Sequence, residues 1–377
     1  MTILFAGARK LDANGEVDDF WMLVDGDTIT SVGTGQRPHA DEVIDVRGRW
    51  LTPGFMDLHS HGAGGHAYDD GEEAIRAGVA THHDHGTTRT LISLVANPLE
   101  VLEVSLRGIA RLAASDPLIL GAHLEGPFLS PGQPGAHNRH FLREPQPAEL
   151  DGLLDAAHGT LRQITLAPEL PNAFELIEVL VENEVVVAVG HTDADYDTTK
   201  RAFDLGARLL THVFNAMPGI HHRVPGPIIA AFEDPRVTLE LILDGLHVHP
   251  DVAALVFRSA PSRVALVTDA MAAAGFVDGD YQLGTLAVTV AEGLAVLRGT
   301  STIAGSTLTQ DVALAIAVER AGVSAVDAVA ALTLAPARVL GLEHRHGLLA
   351  PGYVADAVIL GHDWSVAQTW ANGALLA

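Results

Sequence analysis

The chain contains no cysteine. Disulfides, thiolate-ligated zinc, iron–sulfur clusters and thiol nucleophiles are therefore excluded. Positive charge is short as well. Only Lys10 and Lys200 are lysines among 23 cationic side chains, and the net charge is −24. Such an acidic protein is a poor partner for nucleic acid or an anionic membrane, both of which are polyanions. An anionic small substrate would need a local cationic pocket. No apolar run approaches the roughly 18–20 residues of a membrane span. The opening stretch Met1–Lys10 is too short in apolar length for a signal peptide, so a cytoplasmic protein is expected. There is no Gly-x-Ser-x-Gly elbow and no Gly-Lys-Ser/Thr phosphate loop. Tandem repeats and low-complexity linkers are also absent.

What remains is a chain of 377 residues, 48% of them hydrophobic, enough for one large core with an appended domain. The first 50 residues read as short strands and turns, such as Trp21–Val24, Thr28–Val32 and Glu42–Val46. The segment 344–377 has a similar character, with Ala355–Leu360 after Pro351-Gly352. Between them lie eight short apolar runs: Phe55–Leu58, Thr90–Val95, Leu118–Leu124, Gln163–Ala167, Val185–Val189, Leu209–Phe214, Thr238–Leu243 and Val264–Val267. Helical segments such as Ala173–Asn183 and Thr198–Leu205 separate most of them. Strands alternating with helices imply parallel pairing, and eight units predict an α/β fold of the (β/α)8 TIM-like barrel type. We therefore expect a barrel over 51–343. A small β-sandwich domain is expected from 1–50 together with 344–377. Within the barrel, 276–300 reads as a less helical insertion, with Tyr281–Leu283 and Ala287–Val290 as strands. Helices follow over Ser306–Ala321 and Ser324–Leu332.

The ends of the apolar runs carry the chemistry. They finish at or near His59 and His61, Asn97, Glu125, Glu169, His191, His212, Asp244 and Asp269. Parallel barrels gather catalytic groups at the C-terminal ends of their strands. His59 and His61, two apart on a strand end, point to one side and can grip one ion. Glu125 precedes Gly-Pro and can bind one metal or bridge two, or could serve as a cap or salt-bridge partner. A lone strand-end histidine such as His191 or His212 is usually structural, but several on separate strands of one barrel suit a divalent ion such as Zn²⁺. Asp269 reads either as an N-cap or as a general base and acid. Gly62–Gly65 could cradle an anion. His82, His83 and His85 read as solvated and at the far end of the barrel, and His344 and His346 as surface residues near the domain junction. His221, His222, Arg223, His247 and His249 could form a basic patch. Lys200 lies in a helical segment, so a carbamylated lysine bridging two metals is not expected.

Several strings resemble the amidohydrolase superfamily and, within it, the N-acetylglucosamine-6-phosphate deacetylases. They include Pro53-Gly-Phe-Met-Asp-Leu-His-Ser-His-Gly62, His123-Leu-Glu-Gly-Pro-Phe128, Gly135-Ala-His-Asn138, Thr211-His-Val-Phe-Asn-Ala-Met-Pro218 and Leu266-Val-Thr-Asp-Ala270. The resemblance runs nearly end to end. It implies that Glu125, His191 and His212 hold one divalent metal, and that the retained His59 and His61 mark a second. Zn²⁺ is the first expectation, with Fe²⁺, Co²⁺, Mn²⁺ or Ni²⁺ as alternatives. It further implies Asp269 as the catalytic carboxylate and His137 as a contact of the acetamide. Asn215, the Ala216 backbone, Arg223 and His247 would hold the phosphate of an amino-sugar phosphate, with a homodimer partner supplying part of that site.

Overall fold

The computed structural model describes residues 1–377. One sheet consists of eight strands: Phe55–Asp57, Thr87–Leu94, Ile119–Glu125, Leu161–Leu166, Val186–Val189, Leu209–Leu210, Thr238–Ile242 and Val264–Val267. Each pairs in parallel with its neighbour in chain order. The last strand returns to the first through Asp269 N–H to the His59 carbonyl (2.8 Å) and His61 N–H to the Ala270 carbonyl (2.7 Å). The (β/α)8 barrel is thus closed by the backbone of residues expected to do chemistry.

These segments become buried strands because they are covered on both sides, as parallel sheets require, with apolar residues against the helices and several polar ones, such as His123, Gln163, Thr165 and Glu240, buried among themselves. The helices between them are amphipathic. Leu99–Ser115, for example, buries Leu102, Leu106, Ile109 and Leu112, spaced three or four apart. Asp195 and Ser324 cap two later helices by accepting the N–H groups of Thr198 and Asp327. The barrel core is one cluster of 69 buried residues.

The expected run Leu209–Phe214 is cut short. Its strand stops at Leu210, because His212, Phe214 and Ala216 turn into positive φ (25°, 79° and 48°) and the chain coils over the barrel mouth. The insertion is richer than expected, a three-stranded antiparallel sheet of Gly279–Leu283, Leu286–Ala291 and Leu294–Leu297. Helices at Gln310–Glu319, Ala325–Leu332 and Leu334–Val339 complete the barrel, and no helix is long and apolar enough to cross a membrane.

The terminal segments build a second, eight-stranded mixed sheet around its own core of 14 residues. Thr2–Asp12, expected only as part of a turn-rich region, is an 11-residue strand central to it. Its edge strand Thr28–Thr34 is tied to the turn before Ala357–Leu360, where Ile29 exchanges backbone hydrogen bonds with Gly352 and Tyr353. Trp50–Pro53 is a strand of this sheet, so the chain enters the barrel at Gly54. The two sheets are tied by Arg89 on the second barrel strand, which bonds Asp356 through two nitrogens at 2.7 and 3.0 Å. His346 approaches the same carboxylate (3.5 Å), so it stands at the junction as expected, but half-buried and not on the surface.

Candidate metal centre and pocket

Closing the barrel brings six strand-end side chains together. His59, His61 and Asp269 form one group, and Glu125, His191 and His212 another; within each, the ligand atoms lie within 4.8 Å of one another. Glu125 stands between them. Its Oε1 lies 3.0 Å from His191 Nε2, 3.1 Å from His212 Nε2 and 3.4 Å from His59 Nε2. Its Oε2 lies 3.2 Å from His61 Nε2. Asp269 Oδ1 faces His61 and His59 at 3.3 and 3.5 Å. All six residues are buried.

The donor chemistry fits metal. His59 and His61 bring Nε2 atoms within 3.1 Å, and His191 and His212 do the same. Two nitrogens bound to one tetrahedral ion at ~2.0–2.1 Å would lie about 3.3 Å apart. His191 Nδ1 faces the Gln133 carbonyl at 2.9 Å and donates its proton there, leaving the Nε2 lone pair bare. The Nδ1 atoms of His61 and His212 are buried without a partner. Four imidazole Nε2 atoms crowded about the carboxylates of Glu125 and Asp269 form a donor set that suits a divalent cation.

Electrostatics agree. Burial opposes charging of His59 and His61, yet the carboxylates of Glu125 and Asp269 outweigh it. The first is raised well above its ordinary value and the second to about 9. Burial likewise opposes ionisation of Asp269, but His59 and His61 hold its carboxyl down at about 2. Glu125 is held well below the usual carboxylate range against its own burial, chiefly by His59. The site strongly favours charge pairing, which is the environment a cation would share. Three of its members also sit in left-handed backbone: His191 (φ 47°), His212 (φ 25°) and Asp269 (φ 46°). Non-glycine residues there cost about 1–3 kcal/mol each, a strain that clusters at functional sites.

A cavity of about 900 Å³ opens above the ligands. His137, Asn215, Ala216 and His247 line it, as do Leu283, Leu286 and Leu297 from the insertion. His137 Nε2 is 3.2 Å from Glu125 Oε2, while its Nδ1 accepts the Ala96 N–H at 3.2 Å. Its proton is therefore on Nε2, pointed at the site. His247 Nδ1 bonds Asp244 Oδ2 at 2.7 Å; burial lowers its pKa, but Asp244 outweighs this and raises it. Asn215 donates to the His212 carbonyl, bracing the turn that follows this ligand.

Other expected features are not brought to the site. Arg223 stands exposed on the loop after the sixth strand, outside the residues lining the cavity. The basic patch is thereby divided, with His247 turned inward and His221, His222 and His249 outside. Gly62–Gly65 cradles no anion: Gly64 and Gly65 donate their N–H groups to Ala274 and Ala272. The His82 cluster is also corrected. His82 is buried and bonds the Ser60 hydroxyl (3.0 Å) and Gly62 carbonyl (3.2 Å), while His85 pairs with Asp311. Lys200 lies exposed on its helix, paired with Asp204. Gln163 and Glu240 were missed altogether, although Glu240 gave a signal as a lone carboxylate inside the run Thr238–Leu243.

The model of the amidohydrolase family matches residues 50–376, and the chain belongs to this metal-dependent family. It is 37% identical to N-acetylgalactosamine-6-phosphate deacetylase from Escherichia coli O157:H7, over 100% of this chain and 99% of that one. It is 33% identical to N-acetylglucosamine-6-phosphate deacetylase from Vibrio furnissii, over 99% and 94%. Its fold is similar to N-acetyl-D-glucosamine-6-phosphate deacetylase from Mycobacterium smegmatis, a structure of a mutant in complex with N-acetyl-D-glucosamine-6-phosphate. There the TM-score is 0.94 at 40% identity, covering 100% of this chain and 99% of that one.

Proposed function

We propose that the chain hydrolyses the acetamide of N-acetyl-D-glucosamine 6-phosphate to D-glucosamine 6-phosphate and acetate. The observation that carries this reading is the pair of side-chain groups, His59/His61/Asp269 and Glu125/His191/His212, meeting at Glu125 beneath one cavity. Full-length relatives that bear this activity support the substrate. Glu125, His191 and His212 would hold one ion, and His59 and His61 with Asp269 a second; zinc suits the nitrogen-rich set. A divalent ion there supplies Lewis-acid polarisation of a carbonyl and lowers the pKa of a water nucleophile towards about 7.

The protein's own groups do the rest. Asp269, ionised at neutral pH, takes a proton from the attacking water and later delivers it to the departing sugar nitrogen. His137 donates from Nε2 to the carbonyl oxygen as negative charge grows there. His247, held by Asp244, together with Asn215 and the Ala216 N–H, receives the phosphate. Arg223 completes the phosphate grip from the other copy of a homodimer, which is the arrangement its position outside its own cavity suggests. Sedimentation at twice the mass of one chain checks that arrangement.

A second reading, action on the galacto epimer, is favoured by the 37% identical relative. Purified protein assayed on both sugar phosphates decides between them. We expect a higher kcat/KM for the gluco sugar, and loss of at least about 10²-fold in kcat for Asp269→Asn. Preference for the galacto sugar sinks the first reading; full activity of Asp269→Asn sinks the mechanism.

A further inference from the structure

The inside of this barrel is polar just below the ligands. His59, His123, Gln163, Thr165 and Glu240 are all fully buried. His123 is accounted for, since Ser93 and Thr165 hydroxyls meet its two ring nitrogens at 2.9 Å each. Glu240 is not explained by packing. It lies midway along the seventh strand, with no lysine or arginine against it, and a buried carboxylate is costly without a partner. Its two oxygens are both committed. Gln163 Nε2 donates to Oε1 at 2.8 Å, and Oε2 faces His59 Nδ1 at 3.2 Å.

That arrangement dictates the state of His59. A carboxylate only accepts, so His59 Nδ1 carries the hydrogen, and with an ion in place Nε2 would be the atom that offers its lone pair. Nε2 is the atom aimed at His61 and Asp269. The amide of Gln163 prevents Glu240 from swinging away. His191, by contrast, is oriented by a neutral carbonyl, that of Gln133. The two ligand groups therefore differ in what stands behind them, and the group on the first strand has an extra buried negative charge. A carboxylate behind an imidazole orients it and makes it a stronger ligand.

We propose that Glu240, locked by Gln163, is the positioning residue that lets the His59/His61/Asp269 group retain its own ion, so that the protein holds two ions and not one. The proposal rests on the two-ion reading above and deepens it. The test uses the full-length, metal-loaded protein and zinc alone as probe. Wild type, Glu240→Gln and Glu240→Asp are dialysed against zinc buffers of graded free concentration, and bound ions are counted by elemental analysis. Glu240→Gln keeps the volume but removes the charge; Glu240→Asp keeps the charge but withdraws it by one methylene. We expect wild type to hold two ions. In both variants one ion should be released at about 10–100-fold higher free zinc than in wild type, with the other unaffected. The melting temperature of the metal-free proteins should stay within a few degrees of wild type. Retention of both ions with wild-type affinity overturns the proposal. So does parallel loss of both ions with a collapsed metal-free melting temperature, which would make Glu240 a general core residue. A wild type that never takes up a second ion overturns the two-ion reading itself.

Discussion

Ser60 sits between two ligands, and its hydroxyl is held by His82 Nε2. This small contact shows how a residue far from the substrate can set the frame of the site. Burial drives the His82 pKa down to about 4, only partly opposed by the Gly62 carbonyl. The unfolded chain takes up this proton near the ordinary value of about 6.5. The stabilisation is therefore complete above that pH and is lost as pH falls towards 4, amounting to about 3 kcal/mol. Thermal melting at pH 7.5 and 5.0 should show a larger drop for wild type than for His82→Gln. Equal drops would remove His82 from the acid sensitivity of the fold. The histidine was visible in the sequence, but its partner was not. A run of three histidines before a strand looks solvated until the barrel closes over one of them.

At the scale of elements, the strand ends decide where ligands point. Gly190 follows the Val186–Val189 strand and immediately precedes His191. A β-carbon at Gly190 would meet Thr211 Cβ at 2.6 Å and Thr165 Cγ2 at 2.8 Å. Gly190→Ala should therefore push the fifth strand from its neighbours, costing about 1–3 kcal/mol. It should also displace His191 and weaken retention of the ion we propose it holds with Glu125 and His212. A lowered denaturation midpoint together with reduced bound metal checks this; an unchanged metal count would show that the strand end tolerates the shift. Seven of the eight barrel strands were legible nearly to their ends, because strands buried on both faces leave continuous apolar runs. The sixth was overestimated for a physical reason: His212, Phe214 and Ala216 adopt left-handed backbone without a glycine to announce it. In the insertion, Leu294–Leu297 went unread because four residues are too few for a clear alternation.

At the scale of the whole molecule, the barrel and the terminal sheet share one buried ion pair. Arg89 and Asp356 are separated by 267 residues, and Asn372 accepts a further bond from Arg89. Removing one partner strands the other charge, so Arg89→Met should cost about 3–5 kcal/mol. Burial raises the Asp356 pKa, but His346 and Arg89 outweigh this and hold it below its ordinary value. Its stabilising share is thus present above about pH 4 and declines as pH falls through the depressed value. Chemical denaturation of wild type and Arg89→Met at neutral pH measures the loss; a difference under 1 kcal/mol would mean that the two sheets dock without the pair.

The barrel, the order of its strands and the candidate ligands were readable from the sequence. Hydrophobic runs and the polar groups that end them are local signals, and His59, His61, Glu125, His191, His212 and Asp269 all stand where such runs finish. Only the folded barrel shows which of these side chains gather into one group, that Glu240 reaches His59 across 181 residues of chain, and that Arg223 lies outside its own cavity. The reason is closure. Burial and periodicity are inscribed residue by residue, whereas a contact across the barrel exists only once the first and last strands are joined.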